Sequence, residues 1–264
     1  MLCWHLKINK QMSSGNNMVG AIIQARMGST RFPGKIMMDL SGKPVLWHVV
    51  ERIKHAQLVD DVIIATTTLG EDDVVVEYAQ KEGWKYYRGS KNNVLERYYY
   101  TAKHYGSKIV LRLLSDCPLI DPEIIDCCID KFLEGGIDIV GDLSGVPRGM
   151  NDVDVLSFET LEIAYKHATC EYEKEHVVPY IWENKNGEFN VLERTKSKLA
   201  FARNYRLTLD YPEDLKVIRK IYDTLYKPGS IIRTEDVINF LDMNSDVAEM
   251  NAHCKQKSYK ISAV

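Results

Sequence analysis

The feature that most constrains the fold is an alternation, over the first 141 residues, of short continuous apolar runs with amphipathic stretches. The runs are "VGAIIQA" (19–25), "DVIIATT" (61–67), "KIVLRLL" (108–114) and "IDIVG" (137–141), with the more polar "WKYYRG" (84–89) among them. Between them lie "PVLWHVVERIKHA" (44–56), "DDVVVEYAQKEG" (72–83), "NVLERYYYTAKHYG" (93–106) and "PEIIDCCIDKFLEGG" (122–136). An apolar run that does not alternate with polar residues is a strand buried on both faces. A helical period between two such strands is the crossover of a parallel pair. The pattern predicts a doubly wound, mixed but mostly parallel α/β layer with ligands at the carboxyl ends of its strands.

After Gly141 the rhythm breaks. A loop rich in Gly and Pro ("SGVPRGMND") precedes a short strand ("VDVLSF"), helical periods at 158–168 and 175–184, and a strand near 188–193. This reads as an inserted lobe at about 142–205, which covers the site or pairs two subunits. "YRLTLDYPEDLKVIRKIYDTLY" (205–226) returns to the core as a strand, an acidic turn and a helix. With 264 residues, one large core needs no covalent staples. The expected organisation is a flexible leader at 1–17, with Met18 as an alternative start, one domain at 18–250 and a loose tail at 251–264.

A net charge of -3 gives no basis for general nucleic-acid binding, so an anionic partner must be met locally. The six cysteines form no CxxC pair, which fits reduced thiols in a cytoplasm better than zinc or disulfides. No apolar run reaches the 18 residues of a membrane span.

Against that balance, "ARMGSTRFPGK" gathers Arg26, Arg31 and Lys35 directly after the first strand. A Walker A loop is excluded, because five residues separate Gly28 from Gly34 and Ile36 follows the lysine where a hydroxyl is required. Solvated turn charges are the plain alternative. Arginine forks and a lysine beside glycines that permit close backbone approach suit a triphosphate. In "RLLSDCPLIDP", Asp116 follows a buried strand, placed to reach a metal, whereas Asp121 reads as the cap of the helix opening at Pro122. In "LTLDYPEDL", Asp210 ends a strand, while Glu213 and Asp214 are explained by the helix dipole. Mg²⁺ prefers one or two carboxylates together with phosphate oxygens, so Asp116 and Asp210 are its candidate ligands.

Seven segments, "IIQARMGSTRFPGK", "ATTTLGEDD", "RGSKNNVLERYY", "VLRLLSDCPLIDP", "PRGMNDVDVLS", "KEHVVPYI" and "RLTLDYPEDL", together resemble the cytidylyltransferase family. That family includes CMP-KDO synthetase and acylneuraminate cytidylyltransferase, and the similarity is to its spore coat polysaccharide biosynthesis protein F-like branch. The segments occur in family order over roughly residues 19–225. The resemblance implies a nucleotide-diphosphosugar transferase (glycosyltransferase A-like) fold and transfer of CMP from CTP to an acidic sugar or similar acceptor, with Mg²⁺. It also implies a homodimer. Carried over by position, Ala25, Arg26, Gly28, Ser29, Arg31 and Lys35 bind the nucleotide, Arg112 lies near it, and Asp116 and Asp210 hold the metal. Asp152, Asp154, Glu175 and His176 are candidates for the acceptor, the two aspartates serving equally well as solvated turn acids. This chain has Ser115 where Gly commonly precedes the aspartate, Phe32 where Leu is usual, and Lys174 where Arg is usual. The competing readings are a glycosyltransferase using a preformed nucleotide sugar and a catalytically silent nucleotide-binding subunit.

Overall fold

A computed structural model describes residues 17–141, 145–192 and 205–255. The leader (all but residue 17) and the tail beyond residue 255 lie outside these. The chain runs through β1 (Val19–Gln24), β2 (Asp39–Leu40), β3 (Lys43–Pro44), α1 (Val45–Lys54), β4 (Asp61–Thr67) and α2 (Asp73–Lys81). It continues through β5 (Lys85–Gly89), α3 (Val94–Tyr105), β6 (Ile109–Leu114), α4 (Pro122–Leu133), β7 (Ile139–Val140) and β8 (Val153–Ser157). Helices α5 (Phe158–His167), α6 (Glu171–His176), α7 (Pro179–Glu183), α8 (Pro212–Leu225), α9 (Thr234–Met243) and α10 (Ser245–Glu249) follow.

Six strands form one sheet in the order β5-β4-β1-β6-β8-β7. β5, β4, β1 and β6 are mutually parallel, and β8 pairs antiparallel with both β6 and β7. Alternate residues of β1 separate the two faces. Ala21 and Ile23 pack with Leu46, Val49, Ile53, Ala79 and Ile125 of α1, α2 and α4, while Ile22 packs with Leu95, Tyr98, Leu161 and Ile181 of α3, α5 and α7. A third apolar cluster joins α8, α9 and α10 to Leu40, Val45 and Leu119 at the sheet's carboxyl edge.

The segment expected as an inserted lobe is, where described, part of this layered body. β8 lies inside the main sheet, and Val153, Val155 and Leu156 are all buried, so neither face of that strand is free to leave the core. Two strands read from the sequence are shorter than their apolar patterns suggest. Val191 makes a single bridge to Ile139, and Arg206 a single bridge to Arg148. The 205–210 stretch crosses the ends of two loops instead of lying along a strand. Its Leu207 N–H donates to Arg148 O at 3.2 Å and its Leu209 N–H to Asp116 O at 2.8 Å. Asp121 caps α4 as expected, accepting the Glu123 N–H at 2.8 Å. Among the described residues no helix is long and apolar enough to cross a membrane.

His48 of α1 is buried against Tyr222 and Tyr226, with its Nε2 2.6 Å from Leu40 O. Burial pushes its pKa down, with the Arg52 charge adding to the effect and the Leu40 carbonyl opposing it. Because the folded value lies below the unfolded one, near 6.5, this residue's contribution to stability is present above that pH and lost as pH falls through the folded value. Wild-type Tm is expected to fall more steeply between pH 7 and 5 than that of His48→Gln. Parallel profiles would place the titration elsewhere.

Candidate active site

Gln24 of β1 stands beside Leu114 of β6 in parallel register, so the chain leaves both strands at one level. β4 and β5 lie on one side of β1 and β6 on the other. The winding therefore reverses between β1 and β6, which opens a crevice beyond their carboxyl ends. Into it run the 25–35 loop after β1 and the 115–121 loop after β6.

The first loop is shaped by its own backbone. Met27 O accepts N–H bonds from Ser29 (2.8 Å) and Gly34 (2.9 Å), and Ser29 Oγ accepts the Phe32 N–H at 3.3 Å. Gly34 has φ 71 where the chain turns into Lys35–Met37, a conformation that favours glycine. The base of the loop is held from β4. Ala25 N–H donates to Ala65 O at 3.0 Å, and Met27 N–H donates to Asp72 Oδ1 at 2.6 Å. The other oxygen of the fully buried Asp72 accepts from the Thr67 hydroxyl. Glu71 reaches over Gly28, where an added Cβ would stand 2.8 Å from Glu71 Oε1.

The centre of the crevice is an ionic cluster. Lys35, 8% exposed, directs its Nζ at Asp116 Oδ2 (2.5 Å), Leu209 O (2.6 Å) and Asp210 Oδ1 (3.2 Å). Burial works to lower the lysine pKa, but Asp116 and Asp210 outweigh it and hold the value above the ordinary one, so the ammonium keeps its proton. Arg31 Nη2 donates to the same Asp210 Oδ1 at 2.6 Å. Arg206 Nη2 donates to Asp210 Oδ2 at 3.0 Å. Behind Arg206 lies Asp214, fully buried. It accepts the Arg206 Nε (2.9 Å), the Asp210 and Tyr211 N–H groups (2.8 Å each) and Asn251 Nδ2 (2.8 Å). The guanidiniums of Arg31 and Arg206 both sit over the Tyr211 ring, at 5.2 and 5.5 Å from its centroid.

Asp116, Asp210, Lys35 and Arg31, read separately from the sequence, therefore come together. The cations do not simply face solvent, however: Lys35 and Arg31 are neutralised by carboxylates of the same cluster. Arg26 makes no ion pair or hydrogen bond among the described residues and lies near the buried Arg97. Burial, with Arg26 as a like-charged neighbour, pushes the Arg97 pKa down to about 10, and its buried Nε has no hydrogen-bond partner among the described residues. Arg112 pairs across the sheet with Asp154 at 3.2 Å, and Trp182 Nε1 donates to the other Asp154 oxygen at 3.1 Å. The reading of Asp154 as a solvated turn acid is thus corrected. It is buried within β8, with a partner on each oxygen. Asp152 accepts the Gly149 N–H and lies close enough to Cys117 to act on its thiol. That thiol is pushed well up by burial first and by Asp152 and Asp116 next, which leaves it protonated and unsuited to nucleophilic work.

Glu175 is exposed and His176 half-buried at the end of α6, the histidine edge-on to Tyr172 at 5.1 Å. Directly after them Val177 adopts φ 73, ψ -54, closed by a Val178 N–H to His176 O bond of 2.9 Å. This is a γ-turn of the strained, positive-φ kind. For a buried β-branched residue it is a rare conformation, of the sort that gathers at functional sites.

Sequence reasoning missed Arg206, Asp214, Asn251 and Asp72. Asp214 was assigned to the helix dipole, yet its spacing of four from Asp210 and its place as the third helical residue after the Tyr211 cap were signals of a turn-locking acid. The partners of Asp72 and Asn251 are set by tertiary contact and have no local signature.

The donor set suits a hard divalent cation. Two carboxylates and a backbone carbonyl already surround one positive group, the Lys35 ammonium. Mg²⁺ commonly takes one or two carboxylates and completes its shell with phosphate and water oxygens.

Comparison with known proteins agrees with this architecture. A family model described as Cytidylyltransferase matches residues 20–251. The chain is 31% identical over 231 residues to the spore coat polysaccharide biosynthesis protein SpsF of Bacillus subtilis, covering 86% of this chain and 95% of that one. A solved cytidylyltransferase structure from Leptospira borgpetersenii superposes with TM-score 0.78 at 33% identity, covering 93% of this chain and all of that one. At the level of fold alone, CMP:2-keto-3-deoxy-manno-octonic acid synthetase complexed with CTP superposes with TM-score 0.59 at 18% identity, over 78% of this chain and 99% of that one. The fold and family resemblance read from the sequence are both borne out, and the chain belongs to the cytidylyltransferase family, as a CTP-dependent nucleotidyltransferase.

Proposed function

We propose that the protein transfers CMP from CTP to a small acidic sugar or similarly anionic acceptor, releasing pyrophosphate, in the synthesis of a surface polysaccharide or glycan precursor. The observation that carries this reading is the meeting of Lys35, Arg31, Asp116 and Asp210 at the switch point between β1 and β6. Relatives support the polysaccharide context through SpsF.

The acceptor oxygen forms its bond to the α-phosphorus as the bond to pyrophosphate breaks in line with it. Such a reaction depends on positioning, worth about 7–11 kcal/mol when well arranged, and on offsetting the charge of the leaving group. Arg26, Lys35 and Arg31 serve the phosphates, with the Gly28–Ser29 backbone permitting close approach. Asp116 and Asp210 hold Mg²⁺, which when bound offsets phosphate charge. Arg206 and Asp214 fix the direction of Asp210. Asp152, Glu175 and His176 are the candidates for the acceptor. The enzyme works in the cytoplasm as a homodimer, and a monomeric mass by light scattering at assay concentration would remove the dimer.

The test is pyrophosphate release with Mg²⁺, screening CTP, UTP, dTTP and ATP against acidic sugars and sugar phosphates. Release with CTP and one acceptor is expected. Release of a nucleoside diphosphate from a preformed nucleotide sugar would identify a glycosyltransferase instead, and CTP binding without turnover on any acceptor would identify a silent subunit. In the active pair, Asp116→Asn is expected to lower turnover by about 10²–10³-fold, the scale for losing one charge-stabilising group. An unchanged Mg²⁺ dependence in that variant would move the metal away from Asp116.

A further inference from the structure

The three hydrogens of the Lys35 ammonium are all spent inside the cluster, on Asp116 Oδ2, Leu209 O and Asp210 Oδ1. The remaining carboxylate oxygens have neighbours of their own. Asp210 Oδ2 accepts from Arg206, and Asp116 Oδ1 has the Cys117 thiol at 3.7 Å. The two oxygens that converge on the lysine, the pair that would grip a metal ion, are therefore Asp116 Oδ2 and Asp210 Oδ1, the second of which also accepts from Arg31 at 2.6 Å.

The backbones that carry the two carboxylates are held in place. Leu209 N–H donates to Asp116 O at 2.8 Å, which pins the 115–121 loop to the 205–210 segment. On the far side, Asp214 fixes the backbone at Asp210 and Tyr211. The movable part is the lysine stem, rooted in the short turn Lys35–Met37. Two cations sharing these oxygens would stand within a few ångströms of each other in a poorly solvated place, where their repulsion is strong. A triphosphate changes the balance, since it offers Lys35 and Arg31 new acceptors and supplies the further oxygens that Mg²⁺ requires.

We propose that in the free enzyme Lys35 occupies the position of the divalent cation, so that metal and nucleotide enter the site together and neither the metal site nor the phosphate site is complete alone. This rests on the reading above that Asp116 and Asp210 hold the metal. By linkage, nucleotide and metal then raise each other's affinity by the same factor.

The test uses Mn²⁺ as the probe, its free concentration followed by electron paramagnetic resonance. Without nucleotide, Lys35→Gln is expected to bind Mn²⁺ at least about tenfold more tightly than wild type. Lys35→Arg, which keeps a cation there, should bind as weakly as wild type. In parallel, Mn²⁺ should raise the Tm of the glutamine variant, in which the half-buried Asp116 has lost the cation it shared with the buried Asp210, and leave that of wild type unchanged. Equal Mn²⁺ affinity in wild type and Lys35→Gln would overturn the competition while leaving the metal reading standing. Failure of wild type to retain Mn²⁺ even with CTP, read as no enzyme-dependent change in water relaxation by the Mn²⁺–CTP complex, would overturn the metal reading and this proposal with it. Should the glutamine variant not fold, wild type alone decides. Nucleotide-free Mn²⁺ binding as tight as in the CTP complex overturns the proposal, and binding at least about tenfold weaker supports it.

Discussion

Lys35→Ala is expected to lower turnover by about 10²–10³-fold, the scale for losing one group aimed at developing charge, and also to destabilise the fold by about 1–3 kcal/mol. The second effect comes from the geometry: Asp210 keeps Arg31 and Arg206, but the half-buried Asp116 loses the ammonium it is paired with, and a carboxylate left without its donor is costly. The sequence offers Lys35 only as a phosphate-binding cation and gives no sign of this cost. The structure turns it inward, at 2.5 Å from Asp116 and 3.2 Å from Asp210. The two effects separate in the double variant Lys35→Met, Asp116→Asn. It removes one charge of each sign from the cluster, so it should recover much of the lost stability while remaining inactive. Thermal unfolding and pyrophosphate release on the same preparations give both readings, and near-normal turnover of the single variant would remove Lys35 from the reaction.

Gly149→Ala is the largest structural effect expected outside the ionic cluster. Gly149 has φ +92, and a Cβ added there would stand 2.3 Å from the Leu207 carbonyl carbon and 2.7 Å from the Thr208 nitrogen. Both are backbone atoms, so no side-chain rotation relieves the clash. Overpacking and the positive φ together should cost about 3 kcal/mol, lowering Tm by about 6–12 °C for a chain of this length. The loss should extend to activity, because the strand-like contact being forced apart carries Arg206 at one end and leads to Asp210 at the other. A Tm within 2 °C of wild type would show that the 147–150 loop yields more easily than its contacts imply.

The parallel part of the fold was legible because its signal is local. β4 was read as 61–67 and is Asp61–Thr67, since a continuous apolar run between turn residues has few alternatives. The break after Gly141 was read as a lobe because periodicity cannot tell an antiparallel sheet strand from a strand in an appendage; that distinction depends on Val155 meeting Leu111. Likewise, "LTLD" has the composition of a strand but finds only a single bridge at Arg206. In the site, the residue types were legible and their mutual pairing was not. Arg31, Lys35, Asp116 and Asp210 stand out singly by position at strand and loop ends. That Asp210 receives three cationic side chains is set by contacts across up to 179 positions of sequence, which no local pattern encodes.

One of those distant contacts bears on how the molecule comes into being. The carboxamide of Asn251, 2% exposed, donates to Asp214 and to Arg206 O, so a residue near the end of the described chain secures the turn on which Asp210 depends. During synthesis the sheet from β1 to β6 can form as soon as those segments emerge. The acid that completes the crevice gains this last hydrogen bond only after residue 251 has emerged, later than the sheet that positions the rest of the site. A chain still short of that residue would hold a nearly complete α/β body whose centre lacks one of its braces.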